Sequence, residues 1–284
     1  MVRQSKYVRL VRYIVLLFTV IFSLFPIIWI LMMSFQNQKD IISVPPKLLF
    51  IPTLTNYVDI LMPQVFNAVA QASFPFVRAL INTIIIAFGS VLISLFLGIP
   101  AAYALTRMKF PGKENIAFTL ISFYFAPIFA IALPLYIIFQ WLHLYDTYIG
   151  LMIAYQVITL PLIVWLLRSY FREVPREIEE ASWVDGAGLL RTLVKVDLPI
   201  LWPGLAASAV LALLFAWNNF AIGLILSGPN TETLTMSTLS YMGYGQVLWG
   251  PLAASMVLSM APELIISVWL QRFLIRGLSF GAVK

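Results

Sequence analysis

Long apolar runs constrain this chain more than any other feature of its sequence. About 20 consecutive apolar residues suffice for a helix to cross the hydrocarbon core of a bilayer. Six runs meet that requirement, and they give predicted spans over residues 10–34, 76–105, 116–140, 147–168, 200–227 and 247–275. The sequence therefore predicts an all-α integral membrane protein with six transmembrane helices.

The composition agrees with lipid as the solvent of these runs. Hydrophobic residues make up 61% of the 284 residues and charged residues only 11%, whereas soluble domains carry roughly 25% charged residues. Cysteine is absent, so the chain has no disulfide framework and no thiol chemistry. The single histidine, His143, excludes a multi-histidine metal site, and we expect it at the surface or the membrane interface.

The distribution of basic residues predicts the topology. Fifteen of the 18 Lys and Arg residues lie in the N-terminus, the second and fourth connecting loops and the C-terminus. Lys and Arg concentrate on the cytoplasmic side of inner-membrane proteins. We therefore expect a multi-pass membrane protein, with residues 1–9 and 276–284 as cytoplasmic ends around a six-span domain over 10–275. Loop 169–199 is then cytoplasmic, and loop 36–75 is extracytoplasmic.

The N-terminal run is predicted to be a membrane anchor and not a cleavable signal peptide. The apolar stretch Leu10 to Met33 is too long for the hydrophobic core of a signal peptide. No small-x-small cleavage site follows it.

One polar stretch, EEASWVDGAG at residues 179–188, interrupts the cytoplasmic side of the chain. Pro175 suits the first position of a helix, and Gly186 suits its C-terminal stop. A second short helix is predicted from Leu189 to Val196, and Pro199 then opens the fifth span. The pattern predicts a helix-turn-helix elbow with a small-residue tip that another protein could approach closely. The alternative is a solvated loop that only joins two spans.

The spacing of this elbow is distinctive. It reads Glu180-Ala181-Ser182, then Gly186, then Val196-Asp197-Leu198-Pro199. This resembles the signature loop of permease subunits of bacterial ATP-binding-cassette importers, which reads Glu-Ala-Ala, three residues, Gly, nine residues, Ile-x-Leu-Pro. Ser182 and Val196 are mild departures from that pattern.

Further segments resemble the carbohydrate-uptake branch of these permeases, of the maltose-permease type. They lie in the outer loop, spans two and five, and the C-terminus: Pro45-Pro46, Pro52 and Leu54 to Tyr57, Asn82-Thr83, Pro100 to Ala104 with Arg107, Trp217-Asn218, and Gln271 to Lys284. The resemblance implies a permease subunit of the bacterial inner membrane, with its permease domain over 10–275. It would move an oligosaccharide, sugar derivative or polyol into the cytoplasm by alternating access. A secondary carrier without an ATPase, a membrane enzyme and an importer of a non-sugar solute are the alternatives.

The resemblance also implies the partners. These are a second homologous permease in a heterodimer, two ATP-binding cassette subunits, an extracytoplasmic solute-binding protein and the lipid membrane, with no role for nucleic acid. No Gly-x-x-x-x-Gly-Lys-Ser/Thr loop occurs in the chain. We therefore expect no enzymatic activity and no cofactor here, with ATP and Mg²⁺ bound by the ATPase subunits. The tail from Gly277 is expected either to contact those subunits or to be a frayed basic end.

We expect two sets of functional residues in this chain and no metal site. The expected ATPase-coupling residues are Glu180, Ala181, Ser182, Asp185, Gly186 and Ala187, with Glu180 paired to a basic group of the ATPase and Asp185 bracing the elbow. Polar residues inside spans are costly and often functional. The substrate-path candidates are Asn82, Tyr124, Tyr155, Gln156, Trp217, Asn218, Asn219 and Glu263, and helix-helix hydrogen bonding is the alternative role for each.

Overall fold

The computed structural model describes residues 6–62, 76–243 and 247–279. Parts of the predicted segments lie outside these ranges: residues 1–5 of the N-terminus, 63–75 of the outer loop, and 280–284 of the C-terminal tail. Every regular element in the described ranges is helical, and one isolated antiparallel bridge joins Met242 and Val247. The all-α prediction is confirmed.

Fifteen α-helices and one π-helical turn are found in the described ranges. In chain order they are α1 Lys6–Ser34, α2 Gln38–Ile41, α3 Thr55–Leu61, α4 Phe76–Arg107, α5 Lys113–Tyr124, α6 Ile128–Trp141, α7 Tyr148–Ala154, α8 Gln156–Glu173, α9 Arg176–Val184, α10 Leu189–Thr192, the π turn Leu193–Asp197, α11 Leu198–Ile200, α12 Trp202–Trp217, α13 Ala221–Leu226, α14 Leu234–Leu239 and α15 Trp249–Ser279.

Three of these helices, α1, α4 and α15, are each long and apolar enough to cross a membrane. Three bent pairs pass the same test only together: α5 with α6 at 93°, α7 with α8 at 47°, and Leu189–Ile200 with α12 at 81°. The described residues thus hold up to six spans if each bent pair counts as one.

The predicted third span, 116–140, is not one continuous helix. It breaks between α5 and α6, where Pro127 has an extended ψ of 114° and precedes the first residue of α6. A proline disfavours the helical conformation of the residue before it and has no N–H for a helical bond. These two restrictions explain why the first helix ends before this proline and a new one starts after it.

The predicted fifth span, 200–227, is likewise divided. Its first helix, α12, ends at Trp217 with Asn218 as the C-cap, and α13 starts at Ala221. The Oδ1 atom of Asn219 accepts a 3.0 Å hydrogen bond from the Ile222 N–H in the first turn of α13. An Asn side chain that satisfies a free N–H at a helix start favours a new helix at that point.

One of two compact units contains residues 1–76 and 238–260. Within it, Asn56 of α3 is buried, and its Nδ2 atom donates to the carbonyls of Ser34 and Gln36 at 2.9 Å each. Gln38 donates to the Val247 carbonyl at 2.7 Å and accepts from the Trp249 N–H at 3.0 Å. The start of the predicted outer loop is therefore an ordered segment held by side-chain amides.

The other unit contains residues 77–237 and 261–284. Its interior is built by α8 against α12, α5 against α8, and α13 against α6. Gly204 of α12 lies so close to Tyr170 that an added Cβ would stand 2.6 Å from the ring. This close approach packs α12 against α8. The elbow, residues 169–199, connects these two helices along the chain.

Candidate coupling elbow and transport path

The first half of the elbow is helix α9. Pro175 has φ −60° and ψ 135°, which is extended, so it is the N-cap and the helix begins at Arg176. The prediction that Pro175 is the first helical residue was therefore wrong by one position. Glu177 and Glu179 lie in the first turn, where carboxylates are favoured by the helix dipole.

Helix α9 ends in a Schellman motif at Gly186. The Ala187 N–H donates to the Ser182 carbonyl at 2.9 Å, and the Gly186 N–H donates to the Trp183 carbonyl at 3.0 Å. Gly186 has φ +81°, a left-handed conformation that glycine adopts without a steric penalty. A Cβ at this position would meet no atom within 4 Å. The backbone conformation alone therefore explains the glycine.

The second half of the elbow differs from the predicted helix Leu189–Val196. The α-helical part α10 stops at Thr192, and the π turn Leu193–Asp197 follows, with the Leu198 N–H bonded to the Leu193 carbonyl. Pro199 has no N–H to donate to the carbonyl four residues earlier, so a regular α-helical ladder cannot run through this point. The shift to five-residue spacing precedes the proline, and π turns of this kind are frequent at functional sites.

The tip of the elbow presents both charge and apolar surface. Glu180, Ala181, Asp185 and Gly186 are exposed, while Ser182 and Ala187 are half-buried. Between them lie exposed apolar side chains, and Val184 has 88% of its surface free. The Ser182 hydroxyl donates to the Glu179 carbonyl at 2.7 Å and shares a 2.8 Å bond with Thr192, which braces the two halves.

Beneath the tip lies a buried ion pair that the sequence analysis missed. Arg107, the last residue of α4, faces Glu179 of α9 with Nε to Oε1 at 2.5 Å, and the two side chains are only 8% and 2% exposed. A second Arg107 nitrogen donates to the Val174 carbonyl at 2.7 Å. The sequence feature that could have indicated this pair is Arg107, which ends a long apolar run and must pair with an acid if it is buried.

Asp197, in the π turn, is a second buried acid in this cluster. It is fully buried, and neither carboxylate oxygen has a hydrogen-bond partner in the described part of the chain. Burial and then the nearby Glu179 charge raise the pKa of Asp197 to about 6, against the lowering effect of Arg107. Two acids thus share one arginine under the elbow.

Four of the substrate-path candidates are buried or half-buried among the helices. Asn82 is buried, donates to the carbonyls of Asn230 and Glu232, and accepts a 2.7 Å bond from the Tyr148 hydroxyl. Gln156 accepts from Ser94 and donates to the carbonyls of Ser90 and Met152. Tyr155 and Trp217 are buried as well. The Gln156 bonds to Ser90 and Ser94 join α8 to α4, and the Asn82 bonds join α4 to α7 and to the loop between α13 and α14.

The remaining four candidates lie partly or fully at the surface. Asn218 is exposed, and its Nδ2 atom donates to Glu263 Oε1 at 2.8 Å. The half-exposed ring of Tyr124 stands edge-on to Phe215 with centroids 5.7 Å apart. Asn219 accepts a 3.4 Å bond from the Tyr155 hydroxyl at its backbone carbonyl. The structure thus brings together Asn218 with Glu263, and Tyr155 with Asn219.

A further polar centre missed by the sequence analysis is Asp146, between α6 and α7. Its carboxylate accepts bonds from the backbone N–H groups of Gly228, Asn230 and Thr231 and from the side chains of the last two. Burial raises the pKa of Asp146, but these hydrogen bonds outweigh it and leave the pKa below its ordinary value. Asp146 therefore fixes the loop between α13 and α14. His143 is exposed nearby, as predicted.

Comparison with known proteins identifies the family of this chain. Residues 94–280 match the family described as the inner membrane component of binding-protein-dependent transport systems. The chain belongs to this family. The match covers the elbow and the helices on both sides of it.

Two relatives and one solved structure are similar to the chain over most of its length. The inner membrane ABC transporter permease protein YcjP of Escherichia coli is 34% identical, with 93% of this chain and 92% of that protein aligned. The trehalose/maltose transport system permease protein MalG of Thermococcus litoralis is 30% identical over 99% of both chains. A crystal structure of a bacterial ABC transporter that imports the acidic polysaccharide alginate has a chain of similar fold, with a TM-score of 0.76, 22% identity and coverage of 96% and 99%.

Proposed function

We propose that this chain is one permease subunit of an ATP-driven importer that moves a carbohydrate into the cytoplasm. The observation that carries the proposal is the elbow, whose glycine-ended helix and exposed tip occur in a member of the binding-protein-dependent permease family. Several relatives are named as sugar permeases, among them the trehalose/maltose protein and the trehalose protein SugB of Mycobacterium tuberculosis. These names support a carbohydrate as the substrate class.

The proposed topology follows the distribution of Lys and Arg. Both termini and the elbow lie in the cytoplasm, where two ATP-binding cassette subunits bind ATP and Mg²⁺. A second homologous permease completes the membrane part, and an extracytoplasmic binding protein delivers the substrate. Nothing in the chain itself provides a phosphate-binding loop. The energy for transport therefore enters through contacts with the ATPases.

The elbow is the proposed entry point for that energy. Exposed Trp183, Val184 and Leu190 form an apolar surface of the kind that marks a protein contact. Glu180 and Asp185 flank it and can pair with basic groups of the ATPase. Movement of the docked elbow reaches α4 through the buried pair of Glu179 and Arg107. Such a pair transmits motion because separating the two buried charges is costly.

The substrate path is proposed to use the surface candidates, led by Asn218 and Glu263. Their amide and carboxylate groups suit sugar hydroxyls, and Tyr124 offers a ring face to the apolar side of a sugar. The buried candidates Asn82, Tyr155 and Trp217 and the half-buried Gln156 are proposed to hold the helices that frame this path. The polar atoms of Asn82 and Gln156 are occupied within the chain.

The test is reconstitution of the complete complex in proteoliposomes. We expect uptake of a radiolabelled neutral disaccharide that requires internal ATP, the binding protein and both permeases. The two alternative functions, a secondary carrier and a membrane enzyme, predict different results. A secondary carrier would transport with a proton or sodium gradient and no ATPase, and a membrane enzyme would purify as an active protein without partners.

A further inference from the structure

Glu263 is the only acidic residue inside the six predicted spans. It lies near the middle of α15, with its side chain half-buried. A carboxylate at this depth is costly against lipid and almost always faces the protein interior or a water-filled cavity. Its observed partner is the neutral amide of Asn218 at 2.8 Å. Among the side chains that the structure describes, which extend to Val268 in α15, none forms a salt bridge with Glu263.

An amide and two aromatic rings lie in the neighbourhood of this carboxylate. Asn218 is exposed at the end of α12, and Phe215 lies three residues earlier on the same helix face with its ring exposed. Tyr124 stands edge-on to Phe215. We call Tyr124, Phe215, Asn218 and Glu263 the Glu263 surface. It combines two aromatic rings, an amide and a carboxylate.

We propose that Glu263 faces the transport path and sets its charge preference, admitting neutral and cationic sugars and disfavouring anionic ones. The inference rests on the proposed carbohydrate-permease function. A carboxylate accepts hydrogen bonds from sugar hydroxyls, but it repels a carboxylate or sulfonate on the sugar, and the repulsion is strengthened in a narrow path of low dielectric constant. The solved importer of similar fold carries an acidic polysaccharide. This chain is expected to differ from it in charge preference.

The first experiment measures the local field with a single thiol. The chain has no cysteine, so Phe215→Cys introduces one reactive group beside Glu263. The assembled complex in nanodiscs is treated with cationic or anionic methanethiosulfonate reagents, and modification of this chain is followed by intact mass. We expect the cationic reagent to react about tenfold faster, relative to the ratio for a free thiol in solution. In the Phe215→Cys, Glu263→Gln double variant this preference should fall to the free-thiol ratio.

A matched control uses the apolar helix α1. Phe22 is exposed on that helix, and Phe22→Cys places a thiol where lipid is expected. It should react with neither charged reagent. If Phe215→Cys is equally unreactive, the surface does not face an aqueous path and the inference is overturned. It is also overturned if the single variant Phe215→Cys and the double variant show the same reagent preference.

The second experiment uses transport to separate this inference from the proposed function. Uptake of labelled maltose is inhibited with cellobiose or with a uronic-acid disaccharide, in the native complex and in Glu263→Gln. The binding protein is the same in both, so a change in relative inhibition reports the permease. We expect inhibition by the acidic sugar, relative to the neutral one, to rise several-fold in Glu263→Gln. An unchanged ratio contradicts the charge preference, whereas absence of ATP-driven uptake of any sugar by the native complex contradicts the proposed function.

Discussion

At the scale of single residues, Gly186 shows how one backbone conformation shapes the elbow. Its φ of +81° lets helix α9 end in a Schellman motif and turns the chain toward α10. A side chain there has open space, since no atom lies within 4 Å of an added Cβ. The cost of substitution is therefore the left-handed backbone itself, about 1–2 kcal/mol for a residue other than glycine.

Substitution of Gly186 should uncouple ATP hydrolysis from uptake. Gly186→Ala is expected to lower uptake strongly, and Gly186→Asp to abolish it, while the complex still assembles and hydrolyses ATP. Gly188→Ala is the matched control, because Gly188 has φ −77° and equally open surroundings. Uptake and ATPase rates in proteoliposomes measure the effect. Normal uptake by Gly186→Asp, or equal losses at Gly186 and Gly188, would contradict this role.

The buried pair of Arg107 and Glu179 should show strong coupling in a double-mutant cycle. Removing one partner leaves an uncompensated buried charge, so Arg107→Met or Glu179→Leu is expected to lower stability by about 3 kcal/mol. The double variant should lose less than the sum of the two single losses. Denaturant unfolding of the complex in detergent measures this. The exposed Glu177→Gln in the same helix is the control, with an effect within about 0.5 kcal/mol, and strict additivity would refute the coupling.

Asp197 should make the stability of the elbow depend on pH. Its pKa of about 6 in the folded chain lies above the ordinary value of 3.8, so the folded state binds the proton more tightly than the unfolded state does. Stability is then expected to rise as the pH falls through about 6 toward 4, and the burial cost is fully present above that window. Asp197→Asn should remove this rise. Thermal melts at a series of pH values measure it, and identical slopes in both proteins would contradict it.

At the scale of elements, the loop between α13 and α14 depends on Asp146. All of its partners, the N–H groups of Gly228, Asn230 and Thr231 and two side chains, donate to the carboxylate. An added Cβ on Gly228 would stand 2.7 Å from Asp146 Cγ, so the glycine backbone lies close against this side chain.

Replacing Asp146 with Asn should loosen this loop without unfolding the helices. The Nδ2 group of the Asn would replace one carboxylate oxygen and face N–H donors, which leaves at least one of them unpaired at a cost of about 1–3 kcal/mol. Hydrogen exchange of the amides at 228, 230 and 231 is expected to rise at least tenfold, while exchange in α8 stays the same. Asp185→Asn, at an exposed position, is the control. Unchanged exchange in the loop would refute this role for Asp146.

Helix existence could be predicted at this scale, but helix continuity could not. Apolar length located α1, α4 and α15 to within a few residues at most boundaries, because length and hydropathy are local properties. The break at Pro127 follows from a residue whose effect depends on its neighbours, since Pro100 and Pro161 lie inside unbroken helices. The π turn before Pro199 and the division at Asn219 involve local hydrogen bonds, from the Leu198 N–H to the Leu193 carbonyl and from the Ile222 N–H to the Asn219 side chain, which hydrophobic periodicity does not reveal.

The same distinction holds for the site. The spacing of Glu180, Gly186 and Pro199 indicated the elbow, because caps and helix stops are encoded locally. Arg107 and Glu179 lie far apart in the sequence, so their pairing required the fold. The path candidates were selected as polar residues in apolar runs, and the structure separates the buried Asn82 from the exposed Asn218 by long-range packing alone.

At the scale of the whole molecule, the chain is an all-α membrane protein of the binding-protein-dependent permease family. Such a subunit has no phosphate-binding loop of its own, and the proposed account makes its activity a property of a complex. The chain should therefore co-purify with a second permease and an ATPase. Val184→Glu, which puts a charge on the exposed apolar tip, should weaken retention of the ATPase while the permease pair stays intact. Full retention of the ATPase by this variant would contradict docking at the tip.

One uptake measurement shows whether this chain is the permease of an ATP-driven importer whose energy enters at the elbow. The complete complex, with its binding protein, is reconstituted in proteoliposomes and supplied with labelled maltose, with or without internal ATP and Mg²⁺. We expect accumulation that requires ATP and that disappears when Gly186→Asp replaces the native subunit while ATP hydrolysis continues. Accumulation driven by an ion gradient in liposomes that contain this chain alone would contradict it.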